Sequence, residues 1–587
     1  MSFNLFNENV YKATTHTVEK KQKLFKEKKL HKLIPVCVEK RKNSLNKAES
    51  LWEKAKKNFE KNGIEVFFAE TGNEVKEFIK SNLEKNELIV KGKSLTTEEI
   101  NLRQFLEKEK HEVVETDLGE WIIQQRNELP SHFTAPAVHL SAEDVRNLIQ
   151  KKFKTNLSSN VEELTAFVRE HLRDKFLKAT TGIIGANFVI ANPPTITAVS
   201  NEGNVSLSAR LPKKVFVITG FDRIYDNPEH MEDLQKLLTS SATGQYYTSY
   251  VDFIRKPLPH QKIFLIVLDN GRKKLLDSEF KDAARCIRCA SCLNICPVYK
   301  EVGGHKFGKV YHGGIGSLLT AFTGKKKDAE KIADFCLRCG SCEPECPMEI
   351  PISKLVAKIS SKFHLPLYIK LPLQNMKEGK KTSSTKSKNL IFIGCAFRTY
   401  FFREINKKIK SFAKALNADI LEEGCCGMPH FYKGMIKESE KRVDALEKIF
   451  ARYQNIYIPC SSGFSFLREK FGEKIKLMSV EIAKTTTKKK EKETIYYHLP
   501  CHLKYLKDFN EKKELTKILN IANWGNEEKC CGSAGTFWIT HPIISKKILS
   551  RKKEGQNNFE IITSCPSCYL QLKRIFKNKV KHVIEKL

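Results

Sequence analysis

The chemistry that this chain can perform is indicated by its cysteines, of which it has 18. Eight of them form two runs, CIRCASCLNICP from Cys286 and CLRCGSCEPECP from Cys336. Each run is a C-x2-C-x2-C-x3-C-P motif, in which three thiolates bind one 4Fe–4S cube and the fourth binds the other cube. Zinc sites use paired C-x-x-C motifs rather than such triplets. The spacing therefore predicts a two-cluster ferredoxin domain, which carries single electrons.

Because the fourth cysteine of each motif binds the cube of the other motif, the eight cysteines divide into two sets of four. The ligands predicted for the first cube are Cys286, Cys289, Cys292 and Cys346. The ligands predicted for the second cube are Cys336, Cys339, Cys342 and Cys296. The segment between the motifs is longer than a minimal ferredoxin needs. It indicates a helical insertion of the kind found in the ferredoxin-type subunits of dehydrogenases.

Two vicinal pairs, Cys425–Cys426 and Cys530–Cys531, each precede a glycine. Adjacent Cα atoms lie about 3.8 Å apart, closer than the roughly 4.4–6.8 Å of ordinary disulfides, so metal ligation suits such a pair better than a bond between its sulfurs. In both cases 33 residues separate the pair from the next cysteine, and 29 or 28 separate it from the previous one. The matched intervals indicate a duplication from residue 389 to the C-terminus.

Each copy of the duplication places cysteines after apolar runs of strand length, so we expect β-strands to deliver them to one edge of an open α/β sheet. The second copy offers five thiols, Cys501, Cys530, Cys531, Cys565 and Cys568. The first offers four, Cys395, Cys425, Cys426 and Cys460, because Gly463 stands where a last cysteine would complete a C-x-x-C. The first copy is therefore either a second metal centre or a structural twin without metal. His502 is either a ligand or proton donor, or a structural histidine.

The first 285 residues contain one cysteine, Cys37, which we interpret as a buried or idle thiol. Apolar runs alternate there with amphipathic segments, which predicts an α/β domain with a largely parallel sheet. The strands are expected within residues 64–70, 87–95, 111–119, 187–193, 196–207, 214–221 and 262–268.

The composition limits the classes of ligand and the location. The net charge of +34 is spread along the chain, and 41% of residues are apolar. We interpret the charge as a solvated lysine-rich surface, with an anionic membrane surface as the alternative. The chain has no nucleic-acid-binding motif, so nucleic acid is not expected as a partner. It also has no signal peptide and no apolar run near the roughly 20 residues of a membrane span. A cytoplasmic protein is expected, or one attached peripherally at the inner face of the membrane.

The duplicated cysteine pattern resembles the CCG domains of the heterodisulfide reductase B subunit, the glycolate oxidase iron–sulfur subunit and lactate-utilisation protein A. This resemblance implies a non-cubane 4Fe–4S cluster at the five thiols of the second copy. Because the first copy has four thiols instead of five, the resemblance leaves open whether it also holds a cluster.

The N-terminal half resembles lactate-utilisation protein B over about residues 60–365, through IVKGKSLTTEEINLRQFLEK, VVETDLGEWIIQ, PSHFTAPAVH and GANFVIANPPTITAVSNEGN. The resemblance implies an α/β LUD domain with an isomerase/CoA-transferase-like sheet, then the helical ferredoxin domain with two 4Fe–4S cubes and the duplicated α/β CCG domain. It also implies oxidation of L-lactate to pyruvate, with electrons passing through iron–sulfur centres.

One stretch departs from the pattern of that family, which usually has Ala-Glu-Thr-Gly-Thr where this chain has residues 191–195, Ala-Asn-Pro-Pro-Thr. If this loop contacts the hydroxy acid, the substrate differs. Polar residues at predicted strand ends are candidates for binding a carboxylate, although each is also suited to a structural role. They are Lys91, Lys93, Ser94, Glu98, Glu99, Asp117, Glu120, His132 and His139.

The chain is expected to divide into six segments. They are an N-terminal helical extension at 1–60, the LUD domain at 61–275, the ferredoxin domain at 276–365, a linker at 366–388, and CCG repeats at 389–484 and 494–587. Lys/Ser/Thr-rich stretches at 379–388 and 484–493 are expected to be exposed linkers or loops.

The leading hypothesis is an electron-transferring subunit of a 2-hydroxy-acid dehydrogenase complex, most consistent with oxidation of L-lactate independently of NAD. Its electrons would pass to a quinone or another carrier. The alternatives are a thiol/disulfide oxidoreductase like heterodisulfide reductase, and a non-catalytic redox relay whose N-terminal domain docks partners. No Gly-rich dinucleotide motif follows a strand, so a flavin or NAD is expected on a partner, such as a second LUD protein of the lactate-utilisation C type.

Overall fold

The computed structural model describes residues 7–376, 387–399, 402–486, 490–506, 508–553 and 559–587. The chain forms two compact units, Met1–Ala333 with Cys342–Ile352, and Asp334–Ser341 with Ser353–Leu587. No helix in the described ranges is both long and apolar enough to cross a membrane.

The first unit begins with helices, and they are packed against the α/β and ferredoxin parts that follow. The helices are α1 (Glu8–Glu27), α2 (Ile34–Asn46) and α3 (Ala48–Lys61). Trp52 and Phe59 of α3 are buried in the core of the α/β domain. Lys21 of α1 lies with its Nζ 2.6 Å from Ser291 Oγ and 2.6 Å from Glu345 Oε2. The N-terminal segment therefore contacts the residues that flank the first-cube cysteines.

The α/β domain follows. Its strands are β1 (Glu65–Ala69), β2 (Leu88–Lys91), β3 (Glu112–Glu115), β4 (Thr181–Gly185), β5 (Phe188–Ala191), β6 (Pro194–Ser200), β7 (Lys214–Gly220), β8 (Ile224–Tyr225), β9 (Tyr250–Ile254) and β10 (Lys262–Leu268). Its helices are α4 (Gly72–Ser81), α5 (Leu95–Glu99), α6 (Leu102–Lys108), α7 (Leu118–Arg126), α8 (Ala142–Phe153), α9 (Val161–Lys178), α10 (Asn204–Arg210), α11 (Met231–Thr243) and α12 (Arg272–Leu276).

The predicted parallel sheet is confirmed, in the order β1-β10-β7-β4-β2-β3. A second sheet, β8-β5-β6-β9, is mixed, because β6 runs antiparallel to both β5 and β9. The strand expected at 196–207 is wrong in its second half. It ends at Ser200, and after Gly203, whose φ of +72° suits glycine, the chain enters α10.

The ferredoxin segment is helical, with the expected insertion between its motifs. Its helices are α13 (Ser291–Asn294), α14 (Pro297–Val302), α15 (Gly313–Thr323), α16 (Lys326–Phe335) and α17 (Ile352–Ser360). The linker expected at 366–388 starts instead with a packed helix, α18 (Leu367–Gln374). Its Ile369 and Leu373 are buried against Met435, which explains why this part is ordered as a helix. The next part of that linker, 377–386, lies outside the described residues.

The two cysteine-rich repeats have the same topology. The strands are β11 (Asn389–Phe392), β12 (Ala418–Leu421), β13 (Asn455–Ile458), β14 (Ile475–Leu477), β15 (Thr494–Tyr497), β16 (Asn520–Ala522), β17 (Glu560–Thr563) and β18 (Val580–His582). The sheets β12-β11-β13-β14 and β16-β15-β17-β18 are both parallel, which confirms the duplication. Within the 484–493 stretch, residues 487–489 lie outside the described part.

The helices of the repeats cover these sheets. They are α19 (Arg403–Ala415), α20 (Met428–Tyr432), α21 (Ile436–Phe450), α22 (Ser461–Phe471), α23 (Met478–Thr485), α24 (Cys501–Lys504), α25 (Glu511–Leu515), α26 (Phe537–Thr540), α27 (Pro542–Ser550), α28 (Pro566–Phe576) and α29 (Val583–Lys586). One hydrophobic core contains Ile391 and Tyr457 of the first repeat and Ile495 and Ile561 of the second. The repeats therefore fold against each other.

A buried ionic network ties β2 to β3 in the main sheet. Lys91 Nζ lies 3.0 Å from Glu98 Oε1 and 2.9 Å from Glu115 Oε1, and the Lys91 side chain is fully buried. Burial raises the pKa of Glu115 to about 7, although the charge of Lys91 opposes the shift. Burial also raises the pKa of Glu120 well above its usual value, with the charges of Glu115 and Glu98 adding to the effect. Of the candidate residues, Lys91, Glu98 and Glu120 thus belong to the interior of the domain.

Replacing Lys91 with methionine should strongly destabilise the LUD domain. The change leaves Glu98 without its buried cation and Glu115 with only Arg103, whose Nε lies 3.5 Å away. Breaking a buried ion pair typically costs roughly 3–5 kcal/mol. Urea denaturation, with hydrogen–deuterium exchange at β2 and β3, measures the loss. The control is Lys80→Met, which removes a solvent-exposed partner of Glu109 and should leave exchange at β2 unchanged. Equal protection in both variants would contradict the role given to Lys91.

Candidate functional site

The four cysteines predicted for the first cube meet in one buried pocket of the first unit. The lining includes Cys286, Cys289, Cys292 and Cys346 with the apolar side chains of Phe133, Ile287, Ile315, Met348, Ile350 and Ile352. Burial and then the charge of Cys346 raise the pKa of the Cys289 thiol to about 12, and burial raises that of Cys346 to about 11. Sulfurs in such a pocket become thiolates only with a cation among them. The donor set and its apolar lining fit a 4Fe–4S cube.

Backbone N–H groups also point at these sulfurs. The amide of Arg288 donates to Cys286 Sγ over 3.4 Å. Cys289 accepts from the amide of Ser291, and Cys346 accepts from the amides of Ile350 and Met348. Hydrogen bonds to ligand sulfur stabilise negative charge and are one of the factors that set the potential of an iron–sulfur centre.

A buried group of arginines surrounds Asp222 next to this pocket. Asp222 Oδ2 lies 3.1 Å from Arg41 Nη2, 3.5 Å from Arg223 Nε and 3.6 Å from Arg288 Nη2, and its Oδ1 lies 3.0 Å from Arg272 Nε. Although burial alone would raise the pKa of Asp222, the charges of these arginines hold it far below its usual value. The four guanidinium groups outnumber the carboxylates that neutralise them.

Two of these arginines reach the first cysteine of the motif. Arg223 Nη2 donates to the carbonyl of Cys286 over 2.9 Å, and Arg288 Nη1 donates to the same oxygen over 2.6 Å. Arg338 repeats the second contact in the other motif, with its Nη1 3.2 Å from the carbonyl of Cys336. The positive charge is therefore held beside the sulfurs, where a cluster with four thiolates carries net negative charge.

A cleft of about 310 Å³ opens beside the same loop. Ile287 and Arg288, which lie between two first-cube cysteines, form part of its wall. Three of the predicted carboxylate-binding candidates, Lys93, Ser94 and Asp117, also line it. A ligand in the cleft would therefore touch residues adjacent in sequence to the cluster ligands.

Glu202 of the cleft was missed by the sequence reasoning because it lies in a run interpreted as a strand. Its Oε2 accepts the backbone N–H of Leu118 over 3.0 Å. Loss of water within the cleft, and then the charge of Asp117, raise the pKa of Glu202 to about 7. A carboxylate with this pKa can accept and release a proton near neutral pH.

The remaining candidates have structural partners. Glu99 binds Arg272, with Oε1 2.9 Å from Nη1. His132 Nδ1 accepts the amides of Thr134 and Ala135, so its Nε2 donates to Asn294 Oδ1 over 3.0 Å. Burial lowers the pKa of His132 to about 3.

His139 Nε2 lies 3.1 Å from Glu128 Oε2 and is likewise structural. The loop at 191–195, where the sequence departs from the family pattern, forms the turn between β5 and β6. It is not among the described residues that line the cleft.

The four cysteines predicted for the second cube belong to different units. Cys296 and Cys342 lie in the first unit, and Cys336 and Cys339 lie in the second. Their common ligation stays a prediction from the spacing.

The five thiols of the second repeat converge after β15, β16 and β17. Cys531 Sγ lies 3.2 Å from Cys568 Sγ, and these two form a buried group with Cys565. Hydrogen bonds from Cys530 and Cys568 lower the pKa of Cys531 well below its ordinary value. Cys501 interacts electrostatically with Cys531 and Cys565, so all five members of the predicted set are brought together.

Two further residues adjoin these thiols and were not predicted. A ring nitrogen of His498 lies within 4.8 Å of the sulfurs of Cys531 and Cys568. Lys552 Nζ lies 2.9 Å from His498 Nδ1 and donates to the carbonyl of Asn526 over 2.6 Å. Burial lowers the pKa of Lys552 to about 8. His498 precedes Cys501 closely enough in sequence to have been considered, whereas nothing in the sequence around Lys552 indicates this position.

The first repeat holds its four thiols in a similar place but lacks the fifth. Cys395 and Cys425 are hydrogen-bonded to each other, and Cys460 Sγ accepts the amide of Gly463 over 3.4 Å. A Cβ placed on Gly463 would lie 3.8 Å from Cys426 Sγ, an ordinary contact. Gly463 therefore lies beside Cys426 as Cys568 lies beside Cys531 in the second repeat. His430, also unpredicted, has Nδ1 3.9 Å from Cys425 Sγ.

The glycine after each vicinal pair is required by the backbone. Gly427 has φ +87° and Gly532 has φ +76°. A Cβ would lie 2.9 Å from the carbonyl oxygen of Ser439 at Gly427, and 2.8 Å from that of Ser545 at Gly532. At a left-handed backbone position this close to a helix, any residue other than glycine would displace the neighbouring helix backbone.

The two repeats bring their sulfur sites close together. Ser462 Oγ of the first repeat lies 3.5 Å from Cys565 Sγ and 3.2 Å from His502 Nδ1 in the second. His502 Nδ1 is 3.8 Å from Cys501 Sγ. Burial lowers the pKa of His502 to about 4, so the neutral ring is part of the wall between the two sites.

Models of known families match three parts of the chain. A LUD domain matches residues 52–274, a 4Fe-4S dicluster domain matches 282–350, and a cysteine-rich domain matches 390–467 and 495–573. The predicted fold class is confirmed: an α/β LUD domain, a helical dicluster ferredoxin domain and a duplicated cysteine-rich α/β domain. These matches also support iron–sulfur clusters and a redox role.

Relatives are found among known proteins. Lactate utilization protein B from Bacillus cytotoxicus and from Bacillus cereus are each 38% identical over 340 residues, which cover 56% of this chain and 72% of each relative. A solved DUF162 family protein from Deinococcus radiodurans aligns over 98% of its own length and 38% of this chain, at 9% identity and a TM-score of 0.21. Because the Bacillus proteins are matched over most of their length, the chain belongs to the lactate utilization protein B family.

Proposed function

We propose that this protein is the iron–sulfur subunit of a dehydrogenase complex that oxidises a 2-hydroxy acid, L-lactate to pyruvate, without NAD. One observation carries the proposal: Ile287 and Arg288 line the cleft and stand between Cys286 and Cys289. A substrate in the cleft would lie next to the site predicted for the first cube. The name of the relatives, lactate utilization, supports lactate as the acid.

The charges of the cleft suit a small anion. Arg288 and Lys93 on its wall can bind the carboxylate of a hydroxy acid. Oxidation to the keto acid removes the hydroxyl proton, which Glu202 would accept, and the hydrogen on the adjacent carbon together with its electron pair. A flavin on a partner subunit would take this hydride, release its proton to solvent and pass the two electrons one at a time to the 4Fe–4S cubes that the cysteines would hold.

We further propose three clusters in the chain: the two cubes and a non-cubane 4Fe–4S cluster at the five thiols of the second repeat. Electrons then pass to a quinone or another carrier through other lactate-utilisation subunits, including a LUD protein of the C type.

Substitution of Lys93 tests the substrate site. In the purified complex, Lys93→Gln should raise the concentration of L-lactate that half-saturates bleaching of the iron–sulfur absorbance by roughly 10- to 100-fold, because a charge-assisted hydrogen bond is lost. Iron content should not change. Lys256→Gln, at an exposed lysine outside the cleft lining, is the matched control. If no 2-hydroxy acid bleaches the wild-type complex, the proposed function is wrong.

The pH dependence tests Glu202. Its pKa is raised to about 7, so the carboxyl is protonated below this pH and cannot accept the hydroxyl proton. Asp117 and Lys93 are the charged groups that act on it. The rate of lactate-driven bleaching should therefore rise as pH increases through 7 and level off above it. In Glu202→Gln the rate should be low and should lose this step; an unchanged profile would exclude Glu202 as the proton acceptor.

The number of clusters can be counted and altered. Anaerobic iron analysis should give about 12 irons per chain for three four-iron centres. Gly463→Cys adds a thiol where a Cβ fits beside Cys426, and it should raise the count to about 16 if it completes the first set. Gly463→Ser places a similar volume without a thiol and should leave the count unchanged. Equal counts in the cysteine and serine variants would show that the missing thiol is not what limits the first site.

A further inference from the structure

The segment 334–341, which carries two cysteines of the second motif, is part of the second unit and packs on the second repeat. His541 Nε2, at the start of α27, lies 3.3 Å from Asp334 Oδ2, and its ring lies tilted against that of Phe335, with 4.8 Å between centroids. Arg338 Nη2 donates to Ser360 Oγ of α17 over 2.8 Å. The contacts of His541 therefore hold this segment, which we call the Cys339 loop, against the second repeat, and Arg338 ties it to α17.

The Cys339 loop meets the cysteine-rich site of the second repeat at Tyr505, the residue that ends α24. A Cβ on Gly340 would lie 3.7 Å from Tyr505 Cδ2, so the ring packs directly on the loop backbone. The hydroxyl of Tyr505 is hydrogen-bonded to that of Ser341, and Ser341 Oγ lies 3.2 Å from Cys339 Sγ. An unbroken line of contacts joins Cys339 to the helix that begins with Cys501.

We propose that Tyr505 and Ser341 form the junction through which electrons pass between the cluster ligated by Cys339 and the cysteine-rich centre of the second repeat. Cys339 interacts electrostatically with both Cys501 and Cys530, which places the ligands of the two predicted centres near each other. Electron transfer between centres slows steeply as their separation grows, so packed aromatic and hydrogen-bonded atoms between close ligands favour it. The junction rests on the ligand sets of the proposed function but not on its substrate.

The first repeat has no tyrosine at the position that corresponds to Tyr505. The residue four positions after its first cysteine, the place that Tyr505 holds after Cys501, is Thr399. The hydroxyl of Thr399 donates to the carbonyl of Ala396 in its own turn, over 3.0 Å. The tyrosine at this position therefore distinguishes the second repeat, which is also the copy with five thiols, as the proposed point of electron entry.

The test uses the full-length, cluster-loaded protein and a photoreductant instead of lactate. In the wild type, EPR of the reduced protein should show magnetic interaction between a cube and the second-repeat centre, and a flash should be followed by transfer from one to the other. Tyr505→Leu should slow this transfer by about tenfold or more, equivalent to roughly 1.4 kcal/mol on the barrier. Tyr505→Phe and Ser341→Ala, which remove only hydrogen-bonding atoms, should slow it less.

Two controls keep the outcomes separate. Tyr368→Phe changes an exposed tyrosine of α18 and should behave as wild type. Iron content and the reduction potentials of each centre should be equal in all variants, so a change in rate reports the junction itself. Wild-type transfer in Tyr505→Leu, or absence of magnetic interaction in the wild type, would overturn the junction. Failure of lactate with intact photoinduced transfer would instead count only against the proposed substrate.

Discussion

Negative charge on crowded sulfur is the constraint that the rest of this structure has to satisfy. Thiolates gathered in a dry pocket repel each other, and the interior of a protein screens them poorly. At the first site the chain supplies N–H groups to the sulfurs and guanidinium groups around Asp222, with Arg288 bonded to the carbonyl of Cys286. At the second repeat the buried Lys552 and His498 adjoin the thiols. Two unrelated folds thus meet the same electrostatic requirement with different residues.

The arginines around Asp222 place positive charge between the cleft and the site predicted for the first cube. The same side chain, Arg288, contacts a cysteine of the first cube and faces the cleft. An anion in the cleft and an added electron on the cluster would compete for the same positive charge. Departure of the anion would therefore favour the reduced state of the cluster. If the cleft binds the substrate and the four cysteines hold the first cube, as proposed, binding and reduction would be coupled through one guanidinium group.

Local patterns in the sequence were sufficient for the parallel strands and the duplication, because cysteine spacing and strand hydrophobicity are short-range properties. The Asp222 group was not predictable in the same way, since Arg41, Arg223 and Arg272 come from distant segments that only tertiary packing brings together. Glu202 was concealed by an apolar run that resembles a strand but turns into α10 after Gly203. The charged candidates were expected at strand ends or loops; Lys91 ends β2 and Glu98 lies in α5, and their mutual attraction turns both away from solvent and into the domain.

The two repeats differ in their number of cysteines, and their shared core explains why the first repeat tolerates the difference. Ile391 of the first repeat is buried in the same cluster as Ile495 and Ile561 of the second, so the second repeat depends on the first for burial of its apolar face. That dependence involves strands and helices, not sulfur, and it persists whether or not Gly463 is a cysteine. Ligand positions in the first repeat can therefore be lost at little cost in stability. In the second repeat Cys531 adjoins Cys568, and the repeat also contacts the Cys339 loop, so the proposed cluster and junction would both constrain its cysteine set.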